Sequence, residues 1–408
     1  MTLHSRFSEK TAGVPRRTVT ASAVLATATL LSGGGRAWAR GTGDITVRLP
    51  RPTGPHRVGT TMLHLVDPHR RDPWGGGSVR EVMVSVYYPA RSVRGCPVAP
   101  QMTPGAVEVF KAFDPVYLHP ELPKSGVDWA ATMSHSHTGA PALPIRRPVL
   151  LYTPGGANPR TIGTGLAEEL ASHGNVVVTV DHPGEPGAVE FPDGRVRTFA
   201  LTGDPREGPT FRTLLGTRLA DLRFVLNQLS ALATGHNPDA HTRPLPQDLG
   251  RALDLRRVGV YGHSAGGAAA SQALYEDRRV RAAVNLEGYL DYPPDAPGQD
   301  GELLPVARYG VNRPLLLFGT DGYHDARFER SWSAMLAHPD GRTRRRRIDD
   351  AQHWVFTDYA AMAPQFQSAG LMSAADRNKL VGAITPAESV PGVRDRVRSF
   401  FSRHLSPR

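Results

Sequence analysis

Cysteine is almost absent from this chain, because Cys96 is the only one among 408 residues. A single thiol excludes an intrachain disulfide, so the fold has to be stabilised by its hydrophobic core. The hydrophobic fraction of 40% is large enough for a sizeable core, and it excludes disorder as the default. The length fits one large α/β domain, and the sequence contains no internal repeat that would suggest a second one.

The sequence also lacks the patterns that hold phosphates, metals or nucleic acids. Its run of three glycines, residues 33–35, lies in the amino-terminal leader, so no phosphate-binding loop is predicted. His135-Ser136-His137 has no neighbouring cysteine or carboxylate, and we interpret it as a loop rather than a metal site. The formal net charge is +10, of which +4 lies in residues 1–39, and the remaining +6 is a modest surplus that excludes dedicated nucleic-acid binding. We therefore expect no cofactor, no metal and no nucleic-acid partner, and the sequence identifies no protein partner.

Residues 1–39 have the pattern of an export signal. Arg16-Arg17 precede an uncharged stretch at residues 18–35, and Ala37-Trp38-Ala39 supplies an A-x-A exit. The stretch is too rich in threonine and glycine for a stable membrane span. The paired arginines favour the twin-arginine route. We therefore expect a secreted, extracellular protein in which residues 40–57 form a linker or arm and residues 58–408 form a single domain.

Strand and helix patterns alternate along most of the predicted domain. Residues 60–66 and 79–88 are rich in β-branched and aromatic side chains and predict an antiparallel start. After residue 145, short apolar strands such as 176–180 alternate with helices such as the amphipathic segment 210–232. Continuous apolar strands are typical of a parallel sheet that is buried on both faces. The pattern predicts an α/β fold with a mixed, mostly parallel sheet and helices on both faces.

The motif Gly262-His263-Ser264-Ala265-Gly266 carries the clearest chemical signal. It follows the apolar strand 258–261 and opens an alanine-rich helix. This strand, turn and helix are typical of the nucleophile elbow of the α/β-hydrolase fold. The flanking glycines allow the sharp turn, so that the serine hydroxyl is exposed beside the positive end of the helix. Ser264 is therefore the candidate nucleophile.

A serine hydroxyl is a weak nucleophile near neutral pH and needs a histidine base that is oriented by a carboxylate. In the α/β-hydrolase fold these residues follow the order Ser, acid, His. Of the later histidines, His353 is the one that lies in a loop just beyond a late strand, at residues 344–348. His353 is therefore the candidate general base.

Two carboxylates fit the position of the acid. Glu287 ends the predicted strand 282–286, and Asp321 follows the predicted strand 315–318. Both would stand at the carboxyl edge of the sheet, where catalytic groups gather in open α/β folds. The residue pattern alone leaves Glu287 and Asp321 open.

Hydrolysis of an acyl bond also needs donors for the oxyanion of the tetrahedral intermediate, and fixed backbone N–H groups suit this task. One is expected from Ala265, directly after the nucleophile. The other is expected from Gly156 in the loop Thr153-Pro154-Gly155-Gly156-Ala157, which follows an earlier strand. Trp354, beside the candidate base, is a candidate for lining an apolar substrate cleft, although core packing is the commoner fate of tryptophan.

Four further stretches accompany the elbow: Val58-Gly59-Thr60-Thr61, Arg80-Glu81-Val82-Met83-Val84-Ser85-Val86-Tyr87-Tyr88-Pro89-Ala90, Ala167-Glu168-Glu169-Leu170-Ala171-Ser172-His173-Gly174 and Glu276-Asp277-Arg278-Arg279-Val280-Arg281-Ala282. In these stretches the chain resembles the platelet-activating-factor acetylhydrolase family of the plasma and intracellular type II kind, with its bacterial relatives. The resemblance covers residues 58 to about 360. It implies an α/β-hydrolase fold, a metal-independent Ser/acid/His triad, and hydrolysis of short or oxidised acyl esters.

The resemblance also bears on the acid and on the substrate. In that family the acid ends the strand after the nucleophile helix, a place that Asn285-Leu286-Glu287-Gly288-Tyr289 takes here. The resemblance therefore favours Glu287 over Asp321, although the family acid is usually aspartate. The loop Thr153-Pro154-Gly155-Gly156 is also similar to bacterial cutinase and polyesterase relatives, which leaves the substrate class open.

These observations lead to one expected function and two alternatives. We expect an exported serine ester hydrolase that acts on short-acyl lipid or phospholipid esters. A general carboxylesterase or a cutinase-like polyesterase would use the same residues, and a catalytically inactive hydrolase-fold binding protein is the alternative from another class. The arginines at residues 344–347 fit an exposed edge strand that charge keeps soluble, with weak contact to a membrane or lipid surface as the second interpretation.

Overall fold

The computed structural model describes residues 43–294, 296, 298–323, 325–339 and 342–407. The predicted export signal at residues 1–39 lies outside these ranges. Residues 45–57 form an arm that packs against the domain. The Val47 and Leu49 side chains are buried, and both backbone groups of Arg48 bond the side chain of Gln365.

The strands occupy both halves of the described chain. In chain order they are β1 Val58–Arg71, β2 Val79–Pro89, β3 Val98–Pro100, β4 Met133–Thr138, β5 Arg147–Thr153, β6 Val176–Val180, β7 Ala188–Glu190, β8 Val196–Thr198, β9 Leu253–His263, β10 Val280–Leu286, β11 Leu315–Thr320 and β12 Thr343–Ile348. The short strands β7 and β8 form a separate antiparallel pair.

The other ten strands form one sheet in the order β12-β11-β10-β9-β5-β6-β2-β1-β4-β3. The six strands from β12 to β6 run parallel to one another. β2 then pairs antiparallel with both β6 and β1, which is the predicted antiparallel start. The carboxyl ends of the parallel strands meet at one edge, so the residues that follow β9, β10, β11 and β12 are brought together there.

Helices cover both faces of this sheet. In chain order they are α1 Pro104–Phe113, α2 Thr164–Ser172, α3 Gly208–Ala233, α4 Ala265–Glu276, α5 Pro305–Tyr309, α6 Ala326–Leu336, α7 Tyr359–Ser368, α8 Ala374–Val381 and α9 Pro386–His404. Within the described ranges, no helix has both the length and the apolar character that a bilayer span requires. The strand order, with helices on both faces, is the predicted α/β-hydrolase fold.

Alternation along the central strands divides the core between the two faces. Leu150 of β5 faces the cluster that includes Phe401 of α9, whereas its neighbour Leu151 faces the cluster that includes Leu222 of α3. Side chains of a strand point alternately to opposite faces, so one apolar run can fill both clusters. A third cluster joins the arm to α1, α7 and α8.

One local prediction is wrong. His135-Ser136-His137, interpreted above as a loop, lies within β4. Ser136 points inward and donates to the buried carboxylate of Glu168. A strand whose inward side chains are serines has no apolar alternation, which is why the period-two pattern is missing from its sequence. The arginines at residues 344–347 lie in β12, at the edge of the sheet as predicted.

Replacing Phe401 should test how far α9 stabilises the sheet. Its ring is 1% exposed and packs against the central strand β9, where a Cβ added to Gly259 would lie 2.6 Å from it. We expect Phe401→Ala to lower the free energy of unfolding by about 3–5 kcal/mol, measured by urea denaturation. Phe400→Ala, which alters the neighbouring half-buried ring, is the control and should cost about 1 kcal/mol or less. Equal losses in the two variants would contradict this account of the packing.

Candidate active site

Ser264 occupies a strained turn between β9 and α4. Its backbone has φ 55° and ψ −121°, a conformation that costs a non-glycine residue roughly 1–3 kcal/mol. The turn is held by the N–H of Ser264, which donates to the carbonyl of Leu286 at 2.9 Å. Gly266 is required just after it, because a Cβ there would overlap the carbonyl oxygen of Thr153. The predicted elbow is therefore present, and Ser264 is half-buried at the carboxyl edge of the sheet.

Glu287 and His353 are in direct contact at the same edge. His353 Nδ1 lies 2.8 Å from Glu287 Oε2, and the carboxylate is fully buried. The other carboxylate oxygen accepts hydrogen bonds from the backbone N–H and the hydroxyl of Thr320. Thr320 is the last residue of β11 and therefore lies at the same edge of the sheet. A carboxylate held on both oxygens fixes the imidazole with Nδ1 as the donor and leaves Nε2 as the acceptor.

Asp321 has a different position from Glu287. Its carboxylate accepts hydrogen bonds from the backbone N–H groups of Asp350 and Ala351, at 3.0 and 3.1 Å. Burial opposes its ionisation, but these N–H groups outweigh burial and lower the pKa of Asp321. Asp321 therefore fixes the loop that leads to His353, whereas Glu287 contacts the imidazole itself. The residue pattern does not distinguish these two carboxylates as the acid, whereas their positions in the structure do.

Aromatic rings enclose the His353 imidazole. Tyr323 stacks on it with ring centroids 3.9 Å apart, and the ring of His263 lies 4.3 Å away. His263 Nε2 also donates to the backbone carbonyl of His353 at 2.9 Å, which ties the elbow to the loop of the base. Burial, followed by the nearby charge of His119, lowers the pKa of His353 below its ordinary value of 6.5. A neutral imidazole with a free Nε2 can accept a proton.

Ser264 and His353 therefore lie at one edge of the sheet. His263, which directly precedes Ser264 in the chain, contacts His353 with its ring. Within the ranges that the structure describes, the Ser264 hydroxyl has no hydrogen-bond partner, so the bond between nucleophile and base is not formed. Such bonds are often long in a free enzyme and shorten only when substrate is bound.

The expected oxyanion donors lie against each other. A Cβ added to Gly156 would lie 4.0 Å from the Cβ of Ala265, so the loop after β5 packs on the first turn of α4. The backbone N–H groups of Gly156 and Ala265 donate no hydrogen bond to any described residue. Two unpaired N–H groups beside a serine at a helix amino terminus form a suitable environment for a developing negative charge.

Trp354 is half-buried and packs among other rings. It contacts His119 with centroids 4.2 Å apart and His263 at 4.9 Å. His119 in turn bonds the buried carboxylate of Asp114, to which Tyr359 also donates at 3.0 Å. The structure thus places Trp354 in the wall behind the candidate base, and its contact with substrate stays a prediction.

A cavity lies beside the oxyanion loop, residues 153–157, and between β1, β2 and α1. Its wall includes Pro159 and Arg160, which follow the loop, and the apolar side chains of Met102, Phe110 and Phe113. Ser264 and His353 do not line it. Among the described residues, no group of three or more His, Cys, Asp or Glu side chains is arranged to hold a metal ion.

The sequence reasoning missed a buried ionic network behind the oxyanion loop. It contains Arg218, which pairs with Glu185, and His182, which bonds Thr153. A signal was present, because Arg218 lies three residues after Leu215 and four before Leu222, on the apolar face of α3. A charged residue within an apolar stripe indicates a buried polar contact.

Three comparisons relate the chain to known proteins. The family model "Platelet-activating factor acetylhydrolase, isoform II" matches residues 214–366, a range that includes Ser264, Glu287 and His353. A probable 1-alkyl-2-acetylglycerophosphocholine esterase of Arthroderma benhamiae is 27% identical over 379 residues, covering 88% of each chain. The platelet-activating factor acetylhydrolase of Gallus gallus is 22% identical over 64% of this chain and 62% of its own length.

The structure is also similar to a solved esterase. A ferulic acid esterase from Streptomyces cinnamoneus superposes with a TM-score of 0.67 and 30% sequence identity, covering 90% of this chain and 94% of its own. The similarities to the Arthroderma and Streptomyces proteins span nearly the whole chain, and each of the three relatives is named an esterase or an acetylhydrolase. The predicted relation to the platelet-activating factor acetylhydrolase family is therefore confirmed, and the chain is a serine ester hydrolase.

Proposed function

We propose that the chain is an exported hydrolase of short-acyl lipid or phospholipid esters, and that Ser264, Glu287 and His353 form its catalytic triad. The observation that carries the triad is the 2.8 Å contact between His353 Nδ1 and Glu287 Oε2, at the edge where the elbow exposes Ser264. The lipid substrate is supported by the names of the relatives, which include an acetylglycerophosphocholine esterase. Export is supported by the signal pattern at residues 1–39.

In the first half of the proposed reaction, Ser264 Oγ attacks the acyl carbonyl carbon while its proton passes to His353 Nε2. The carbonyl oxygen becomes an oxyanion that accepts hydrogen bonds from the N–H groups of Gly156 and Ala265. The buried carboxylate of Glu287 stabilises the imidazolium. The intermediate collapses, the bond to the leaving oxygen breaks, and His353 returns the proton to the departing alcohol.

In the second half, water replaces the serine hydroxyl. His353 Nε2 takes a proton from water, whose oxygen attacks the acyl carbon of the acyl-enzyme. A second oxyanion forms in the same place between Gly156 and Ala265. When it collapses, the bond to Ser264 Oγ breaks, the serine recovers its proton from His353, and the carboxylic acid is released.

A general carboxylesterase is the second candidate function. It is favoured by the similarity to the Streptomyces esterase, which covers more of this chain than the animal acetylhydrolase does. The same residues would act in the same order, so the two candidates differ only in the alcohol and acyl groups that the cleft accepts. The third candidate is a catalytically inactive hydrolase-fold binding protein. It would require at least one of the catalytic groups of this chain to be missing or displaced.

Labelling of Ser264 separates an active hydrolase from an inactive relative. We expect a fluorophosphonate probe to attach to Ser264, identified by peptide mass spectrometry, and Ser264→Ala to abolish both labelling and turnover. Ser271→Ala removes another buried serine hydroxyl of α4 and should retain labelling. A wild-type protein that the probe leaves unlabelled would move the assignment to a binding protein.

A substrate panel then separates the two candidate functions. We expect kcat/KM to be highest for phospholipids with a short sn-2 acyl chain and to fall as that chain lengthens. Soluble p-nitrophenyl esters, hydroxycinnamate esters and insoluble polyester form the comparison set. Turnover of these substrates without turnover of the phospholipid would favour the general carboxylesterase.

The choice of acid is tested by a matched pair of amides. Glu287→Gln removes the charge that orients and stabilises the imidazolium, and we expect kcat to fall roughly 10⁴-fold by analogy with dissected triads. Asp321→Asn retains one oxygen for the loop N–H groups and should change kcat by less than about 10-fold. If Asp321→Asn were the crippling change, Glu287 would not be the acid.

The pH profile reports on His353. Burial lowers the pKa of this imidazole, so it stays neutral, and competent as a base, at pH values where an exposed histidine is already protonated. We therefore expect kcat/KM to stay level as pH falls through 6.5 and to decline only at lower pH. The profile should be measured with a neutral ester over a range in which circular dichroism shows intact fold. An acid limb centred at or above 6.5 would contradict the burial of the base.

A further inference from the structure

A buried arginine of α3 contacts the backbone of the oxyanion loop. Arg218 is 1% exposed, and it donates to the carbonyl oxygens of Pro154 at 2.5 Å and Gly155 at 3.1 Å. A third contact, at 3.2 Å, reaches the hydroxyl of Thr153. One guanidinium therefore binds three consecutive residues, which lie directly before Gly156.

The geometry of the peptide unit converts this contact into an orientation of Gly156. The carbonyl of Gly155 and the N–H of Gly156 belong to one planar trans peptide, so the two groups point in opposite directions. When Arg218 holds the Gly155 oxygen on the side of α3, the Gly156 N–H is directed away from α3. Ala265, the other expected oxyanion donor, lies against Gly156.

A carboxylate compensates the charge of this arginine. Glu185, also 1% exposed, accepts from Arg218 Nε at 2.9 Å and from Nη2 at 2.6 Å. The pair uses the planar fork that distinguishes arginine from lysine. Arg218 is consequently fixed in orientation before it reaches the loop.

A second chain of hydrogen bonds anchors the start of the loop. His182 Nδ1 donates to the buried carboxylate of Asp221 at 2.9 Å, so its Nε2 accepts from the Thr153 hydroxyl at 2.9 Å. The Thr153 oxygen then accepts from Arg218. Arg80, which is fully buried, pairs with the same Asp221 at 2.6 Å. Every donor in this chain meets an acceptor, so the network has one consistent arrangement.

From this geometry we infer that Arg218 is a positioning residue, which directs the Gly156 N–H at the oxyanion and is held in place by Glu185 and Thr153. The inference rests on the proposed function, because it concerns the same oxyanion site. Arg218 touches no reacting atom and acts through the peptide between Gly155 and Gly156. Its effect should therefore appear in the transition state, where the oxyanion develops, and not in the binding of the uncharged ester.

The main variant removes both charges together. Arg218→Met alone would leave the buried Glu185 uncompensated and would destabilise the fold, so it is combined with Glu185→Gln. Thr153→Val is a second, milder variant of the same network. Arg313→Met is the matched control, because Arg313 also donates to backbone carbonyls, those of Asp277 and Val280, at the amino end of β10 and so at the opposite edge of the sheet.

The readouts are kcat and KM for p-nitrophenyl acetate and inhibition by a trifluoromethyl ketone. Ser264 Oγ adds to the carbonyl carbon of the ketone while the serine proton passes to His353 Nε2. The C=O π bond breaks, and the carbonyl oxygen becomes an oxyanion. We expect the double variant to lose roughly 10- to 100-fold in kcat, within the range for a lost oxyanion donor, with KM changed less than about threefold. Affinity for the ketone should fall by a similar factor. Thr153→Val should lose about threefold to tenfold in kcat, and Arg313→Met less than about twofold.

The outcomes separate this inference from the proposed function. If the wild-type protein neither turns over esters nor reacts with a fluorophosphonate, the proposed function itself is wrong. If the wild type is active and the double variant matches Arg313→Met in kcat and in ketone affinity, the positioning role of Arg218 is wrong and the function stands. A loss confined to KM would also overturn the positioning role. Should the double variant not fold, Thr153→Val decides in the same way.

Discussion

The hydrogen bond between the buried carboxylate of Glu287 and the imidazole of His353 is the contact on which the rest of the site depends. It joins the end of β10 to the loop after β12, two positions 66 residues apart in the chain. A buried carboxylate is stable only when its oxygens are paired, and Thr320 and His353 supply the partners here. The same bond leaves His353 Nε2 as the acceptor, which is the form of imidazole that a general base needs.

The surrounding structure holds this contact in place from several directions. Asp321 fixes the backbone of the loop that carries His353, and His263 ties that loop to the elbow. The parallel sheet supplies the common edge, since its strands end there one after another. On the other side of Ser264, the network around Arg218 fixes the oxyanion loop. The nucleophile thus stands between two rigid backbone segments, and each is held by buried polar contacts rather than by apolar packing alone.

Much of this could be predicted from the sequence. Physical reasons explain why the remaining parts could not be predicted. The strand at residues 176–180 was predicted with the bounds that the structure gives, because a strand buried on both faces is a continuous apolar run. β4 was missed because its inward residues are serines. The acid was left open between Glu287 and Asp321 by residue pattern, since both end parallel strands. Only side-chain direction separates them, and no periodicity encodes it.

The relation between the triad and the oxyanion donors is tested most directly by a crystal structure of the phosphonylated enzyme. In this adduct the phosphonyl oxygen stands in for the oxyanion. The account predicts that this oxygen lies about 3 Å from the N–H groups of both Gly156 and Ala265, with His353 Nδ1 still bonded to Glu287 and Nε2 facing the adduct. An adduct in which His353 has turned away, or bonds Asp321 instead, would contradict it.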